Sequence, residues 1–132
     1  LGFLNLYTAM EPEKTLKYTK AFHADSKIGV QGYEIHHGKT TAFNEKTVIV
    51  GEDGHELGYC SQDERVWGTY LHGVFDSDEF RRWYVNRLRE KKGLSAIVGV
   101  QARYDLNPAF DRLADIVRNS VNMEKIYEAM SL

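Results

Sequence analysis

Val66-Trp67-Gly68-Thr69-Tyr70-Leu71-His72-Gly73-Val74-Phe75-Asp76 is where this sequence changes its period. Up to Leu71 the residues are rich in β-branched, aromatic and aliphatic types, the composition of a strand. Beyond Asp76, Phe80, Trp83, Tyr84 and Leu88 stand at i, i+3, i+4 and i+8, the stripe of an amphipathic helix. His72 lies at the junction, and Gly73 behind it lets the chain turn sharply. In α/β enzymes the ends of strands face the crevice where ligands bind, so His72 is a candidate for chemistry. A neutral imidazole, with an ordinary pKa of about 6.5, can take a proton from a nucleophile and return it to a leaving group. The alternative role is a histidine that caps the strand end through a hydrogen bond.

Downstream, Asp76 reads as an N-cap with Glu79 three residues on, and Gly93 follows a basic last turn as a stop. Asn107-Pro108 opens a second helix with Phe110, Leu113, Ala114 and Val117 on one face. A short third helix starts at Asn122, with Ile126 and Met130 inward. Upstream, Leu16, Tyr18 and Phe22 alternate as in a half-buried strand, Lys20 being the exception. After a turn at Ala24-Asp25-Ser26-Lys27, strands are predicted from Ile28 to His36 and from Val48 to Val50. Asp53-Gly54 then suits a tight turn, with His55 to Tyr59 pairing back. Strands followed by helices indicate α+β or the back half of an α/β sheet, and periodicity does not choose between them.

At 132 residues the chain can bury one compact core, and 42% hydrophobic against 27% charged residues separates it from disordered chains. The net charge of -2 gives no basic footprint for nucleic acid. Arg81 to Lys92 interleaves its cations with Trp83, Tyr84 and Leu88, as a solvated helix face does. Cys60, the lone cysteine, forms no internal disulfide, and there is neither a leader pattern nor an apolar run of about 18 residues. A cytoplasmic protein outside the membrane is expected. Leu1-Gly2-Phe3-Leu4-Asn5-Leu6 opens inside an apolar pattern, and we read the chain as a piece of a longer polypeptide.

In Gly32-Tyr33-Glu34-Ile35-His36-His37-Gly38, alternation sends Tyr33, Ile35 and His37 to one face and Glu34 and His36 to the other, where a Glu-His pair can form. His36 and His37 point opposite ways and no third ligand stands at suitable spacing, so no metal site is expected. Cys60 precedes a polar turn with no helix after it. It lacks the strand-to-helix elbow of a nucleophile and reads as inert packing. Gly29, Gly32, Gly51, Gly54 and Gly58 match no phosphate-cradling spacing.

Gly68 to Asp76, together with Gly32-Tyr33-Glu34-Ile35-His36, Met10-Glu11-Pro12-Glu13-Lys14-Thr15 and the tail Asp111-Arg112-Leu113-Ala114-Asp115-Ile116-Val117-Arg118, resembles the glutamine amidotransferase domain of cobyric acid synthases. The resemblance runs from Gly2 to near Met130. It implies an α/β fold in which residues 1–132 are the C-terminal portion of a class I, flavodoxin-like amidotransferase domain. The nucleophile elbow and an ATP-binding synthetase domain would then lie elsewhere in the longer protein.

The implied chemistry is attack of a cysteine thiolate on the glutamine side-chain amide, with His72 as the catalytic histidine. The ammonia released would pass to the synthetase, which uses ATP and Mg to amidate peripheral carboxylates of adenosylcobyrinic acid a,c-diamide, giving adenosylcobyric acid in cobalamin biosynthesis. Glutamine and the corrinoid are thus the implied partners of the full-length protein, and no cofactor is expected in this region. Glu34, His36 and Tyr70 form the implied substrate-site neighbourhood. Val74 stands where many class I amidotransferases carry a carboxylate two residues after the histidine, so a Cys-His pair is implied. Lacking the cysteine, the chain alone is predicted inactive. The competing readings are a non-catalytic binding module and an amidotransferase with another acceptor, such as a peptidoglycan precursor, although the Asp111 to Arg118 tail favours the corrinoid. Exposed sheet edges in a partial domain would favour self-association.

Overall fold

The computed structural model describes residues 2–100 and 102–131, so Leu1, where the apolar opening begins, lies outside the described residues. The chain is mixed strand and helix, strands in its first half and helices in its second. It divides into two compact units, Leu1–Ala102 and Arg103–Leu132. Among the described residues no helix is long and apolar enough to cross a membrane.

The first unit contains β1 (Leu6–His23), β2 (Gly29–Ala42), β3 (Lys46–Gly51), β4 (Glu56–Cys60), β5 (Trp67–Thr69), β6 (Leu71–His72) and α1 (Asp78–Lys91). The sheet order is β5-β4-β3-β1-β2-β6, with antiparallel pairing throughout. β5 and β6 stand at opposite ends of that order, yet only Tyr70 separates them in the chain. Because consecutive Cα atoms lie about 3.8 Å apart, the sheet must curl until its two ends meet. The one strand predicted from Val66 to Leu71 is therefore two. At the break the Tyr70 N–H donates to Leu57 O at 2.9 Å, and the Leu71 N–H to Thr69 Oγ1 at 3.0 Å.

The alternation in β1 is real, but its inward face is the other one. Thr19, Ala21 and His23 are buried, while Leu16 and Tyr18 are 67% and 51% exposed. A period of two says which residues share a face and leaves open which face turns inward. Register with β2 decides it: Ala21 lies opposite buried Val30, and Tyr18 lies opposite exposed Tyr33, meeting it edge to face at 5.1 Å.

The hairpin of β3 and β4 forms as its Asp53-Gly54 turn predicted. It contributes Val48, Ile49, Leu57 and Cys60 to the core, which α1 closes with Phe80, 1% exposed. Around Phe80 stand Trp67, Phe75, Trp83 and Tyr84, and the Trp67 indole N–H donates to the Tyr84 hydroxyl at 2.9 Å. Leu88, the last member of the predicted stripe, is 47% exposed, because the helix has passed the end of the core by then.

The predicted cap at Asp76 is corrected. A 3-10 turn, Val74–Asp76, intervenes, and α1 starts after Ser77. Gly73 at φ 82 reverses the chain so that the Asp76 N–H donates back to Gly73 O at 2.8 Å. Ser77 does not cap by its side chain either: its hydroxyl accepts the Gln31 N–H of β2 at 3.2 Å, tying the helix start to the sheet. Gly93 ends the helix as expected, at φ 72, with its N–H on Glu90 O at 2.9 Å.

The second unit holds α2 (Asn107–Ser120) and α3 (Met123–Ala129), where predicted, with Asn122 Oδ1 accepting the Lys125 N–H at 3.1 Å. Neither helix buries a residue, and Ile126 and Met130, expected inward, are 39% and 59% exposed. Two short helices carry too little surface to form a core by themselves.

Phe80→Ala should destabilise the first unit by about 3–5 kcal/mol, and Leu88→Ala by about 0.5 kcal/mol or less. Denaturant unfolding followed by tryptophan fluorescence, with equal losses for the two variants, would contradict this core assignment.

Candidate active site

His72 ends β6 and lies opposite Tyr33 in the ladder, while its neighbour Leu71 lies opposite Glu34. Directly paired residues in an antiparallel ladder point to the same face. His72 and Tyr33 therefore share the outer face, and Leu71 and Glu34 the inner one, where both are 2% exposed. His72 is exposed, and among the described residues its imidazole makes no hydrogen bond or ion pair. Tyr33 beside it, with Tyr18, Leu16 and Ile35 farther along the same face of the β1–β2 ladder, forms exposed apolar surface. The Asp76 carboxylate folds back toward Gly73, 2.8 Å from where a Cβ would stand, but among the described residues no hydrogen bond joins it to His72.

Glu34, His36 and Tyr70 come together on the opposite side. The buried Glu34 carboxylate accepts from Thr19 Oγ1 at 2.5 Å and faces Lys17 Nζ at 3.2 Å, with His36 Nε2 and His55 Nε2 each at 3.3 Å. The second ring nitrogen of each histidine also faces an oxygen: His36 Nδ1 lies 2.8 Å from Gly38 O, and His55 Nδ1 contacts Asp53 Oδ1. Tyr70 stacks on His36 with centroids 4.0 Å apart, and its hydroxyl shares a 2.7 Å hydrogen bond with Thr40. The predicted Glu-His pair is thus part of a larger network that lines one cleft, and His72 is not in that lining.

His55, Thr19 and Lys17 were not singled out from the sequence. Lys17 and Thr19 share a strand parity, but only register places them against Glu34, and nothing in the order of residues links position 55 to position 34. Cys60 lies in the core at 3% exposure, beside His23, Trp67, Phe80 and Trp83. Burial pushes its thiol pKa up, which favours the unreactive protonated form. Among the described residues no group of three or more His, Cys, Asp or Glu is arranged to hold a metal ion.

Burial pushes the Glu34 carboxyl up, but hydrogen bonds from Thr19, Lys17 and His36, with the charge of Lys17, outweigh it and hold the group below the usual carboxylate range. With the folded value below the unfolded one of about 4.3, this stabilisation is complete above that pH and is lost as pH falls through the folded value. Glu34→Gln should cost about 1.5–3 kcal/mol at neutral pH and flatten the acid limb of the stability curve below about pH 4.3. Unfolding titrations in which the two proteins show parallel acid limbs would exclude Glu34 as the source.

Residues 1–80 match the family described as the CobB/CobQ-like glutamine amidotransferase domain. The adenosylcobalamin biosynthesis bifunctional protein CobDQ of Leptospira interrogans is 44% identical over 133 residues, covering 100% of this chain and 15% of that protein. A cobyric acid synthase of Nitratidesulfovibrio vulgaris is 51% identical over 107 residues, 78% of this chain and 20% of that protein. One from Clostridium novyi is 36% identical over 140 residues, 99% of this chain and 28% of that protein. The chain thus spans between 15% and 28% of the length of these relatives. With the match extending over more than half of its length, the chain belongs to the CobB/CobQ-like glutamine amidotransferase domain family.

Proposed function

We propose that this chain is the C-terminal portion of a class I, flavodoxin-like glutamine amidotransferase domain in a cobyric acid synthase, and that His72 is its catalytic histidine. The family match and the relatives' names support the assignment. The observation that carries it is the position of His72: exposed at a strand end, before a glycine turn, with a ring that among the described residues has no bonding partner. A structural cap would have its nitrogens occupied, as those of His36 and His55 are.

In this reading the neutral ring of His72 takes the proton of a cysteine thiol supplied by another part of the longer protein. The thiolate adds to the glutamine amide carbon, and His72 returns the proton to the departing ammonia. Water then cleaves the thioester to give glutamate. The ammonia amidates peripheral carboxylates of adenosylcobyrinic acid a,c-diamide at a synthetase domain, where ATP and Mg would act. The chain alone is inactive, because Cys60 lies among buried core residues while His72 is on the outer face of the sheet. Glu34, His36 and Tyr70 then shape the substrate-site neighbourhood by supporting the strand behind His72. Their mutual bonding and their absence from the His72 face support that role.

The apolar outer face of β1 and β2 also favours self-association of the isolated chain. So does the edge of β1, which pairs with β3 only over Ala21–His23.

In the full-length synthase His72→Ala should lower glutamine hydrolysis at least about 1000-fold and leave ammonia-supported synthesis intact, since general-base work and thiol activation are both lost. The isolated chain should show no hydrolysis. A full-length His72→Ala protein with normal glutaminase activity would overturn the reading in favour of a binding module. Sedimentation of the isolated chain as a clean monomer at high concentration would exclude the predicted self-association.

A further inference from the structure

On the buried side of β2, the backbone of Gly32 lies directly under the carbonyl group of His72. A Cβ built at Gly32 would stand 1.9 Å from His72 O and 3.0 Å from its carbonyl carbon, with a Leu71 methyl at 3.4 Å. The neighbouring atoms in this contact are mainly backbone, so no rotamer change can relieve it. Gly32 has an ordinary strand conformation and is not among the positive-φ glycines, so its own torsions do not demand glycine. The demand comes from the approach of β6, whose ladder to β2 has two residue pairs, Tyr33 with His72 and Glu34 with Leu71.

We propose that Gly32 is a positioning residue for His72: its missing side chain is the space into which the His72 backbone seats, and that seating sets where the imidazole stands on the outer face. The proposal rests on the reading of His72 as the catalytic histidine. Any side chain at position 32 must push the carbonyl away by about 1 Å, a displacement of the size that costs a catalytic group about 100-fold in rate. The ring itself is not touched, because it lies on the other face of the strand. Gly29, three residues earlier on the same strand, is the matched control, since a Cβ there would meet nothing within 4 Å.

The test is made in the full-length synthase with Gly32→Ala, Gly29→Ala and His72→Ala, measuring glutamine-supported and ammonia-supported synthesis on each. Gly32→Ala should lower kcat for glutamine about 100-fold with KM for glutamine within about twofold, and leave ammonia-supported synthesis unchanged. Gly29→Ala should match the parent in both assays. Retention of the ammonia-supported rate shows that the protein still folds, and a fall confined to kcat is what a displaced proton carrier produces and a weakened binding site does not. A Gly32→Ala protein with parental kcat would overturn the proposal, as would equal loss of both activities, which would make Gly32 a folding residue. If His72→Ala itself keeps glutaminase activity, the reading of His72 fails. If His72→Ala is silent while Gly32→Ala is normal, only the positioning role fails.

Discussion

The two-residue ladder between β2 and β6 is the constraint on which the rest of the first unit depends. It closes the curl of the sheet, because β6 follows β5 after a single residue and β5 is held at the other end by β4. It also separates two chemistries across the thickness of one strand. Tyr33 and His72 are directed outward, while Glu34 and Leu71 are directed inward. A one-residue slip of β6 would exchange Leu71 and His72, exposing the leucine and turning an imidazole toward a carboxylate that four side chains already satisfy.

So short a ladder needs support from outside itself, and it has it on both flanks. Leu71, 2% exposed, anchors β6 in the same core that Phe80 closes from α1. The Ser77 hydroxyl joins the start of α1 to the Gln31 N–H on β2, so the chain leaving His72 is pinned within a few residues. Farther out, Lys46 bonds Asp25 at 2.7 Å and Glu64 at 2.8 Å, and Arg87 of α1 contacts Glu64 as well. These groups are partly exposed, so each pair contributes at most about 1 kcal/mol. Their effect is to hold α1 in orientation against the sheet, while burial of the aromatic cluster supplies most of the stabilisation.

The glycines around His72 have different physical roles. Gly73 provides a left-handed backbone conformation, φ 82, from which the 3-10 turn begins. Gly32 provides space alone. Together they let a short strand end against a long one and reverse at once, which leaves an exposed histidine on a well-packed base.

The order of residues by itself determined the elements: the β3–β4 hairpin from Asp53-Gly54, α1 from the spacing of Phe80, Trp83 and Tyr84, the starts of the last two helices, and the pairing of Glu34 with His36 through alternation. These rest on local geometry, with a period of two or 3.6 and a turn residue at a fixed offset. It also marked His72, through the strand-glycine-helix junction. Tertiary structure alone decided which face of β1 turns inward, that Val66 to Leu71 divides at Tyr70, that His55, Thr19 and Lys17 converge on Glu34, and that this cluster lies on the other side of the sheet from His72. The physical reason is register: alternation is symmetric between the two faces of a strand, and only pairing with strands distant in sequence breaks that symmetry.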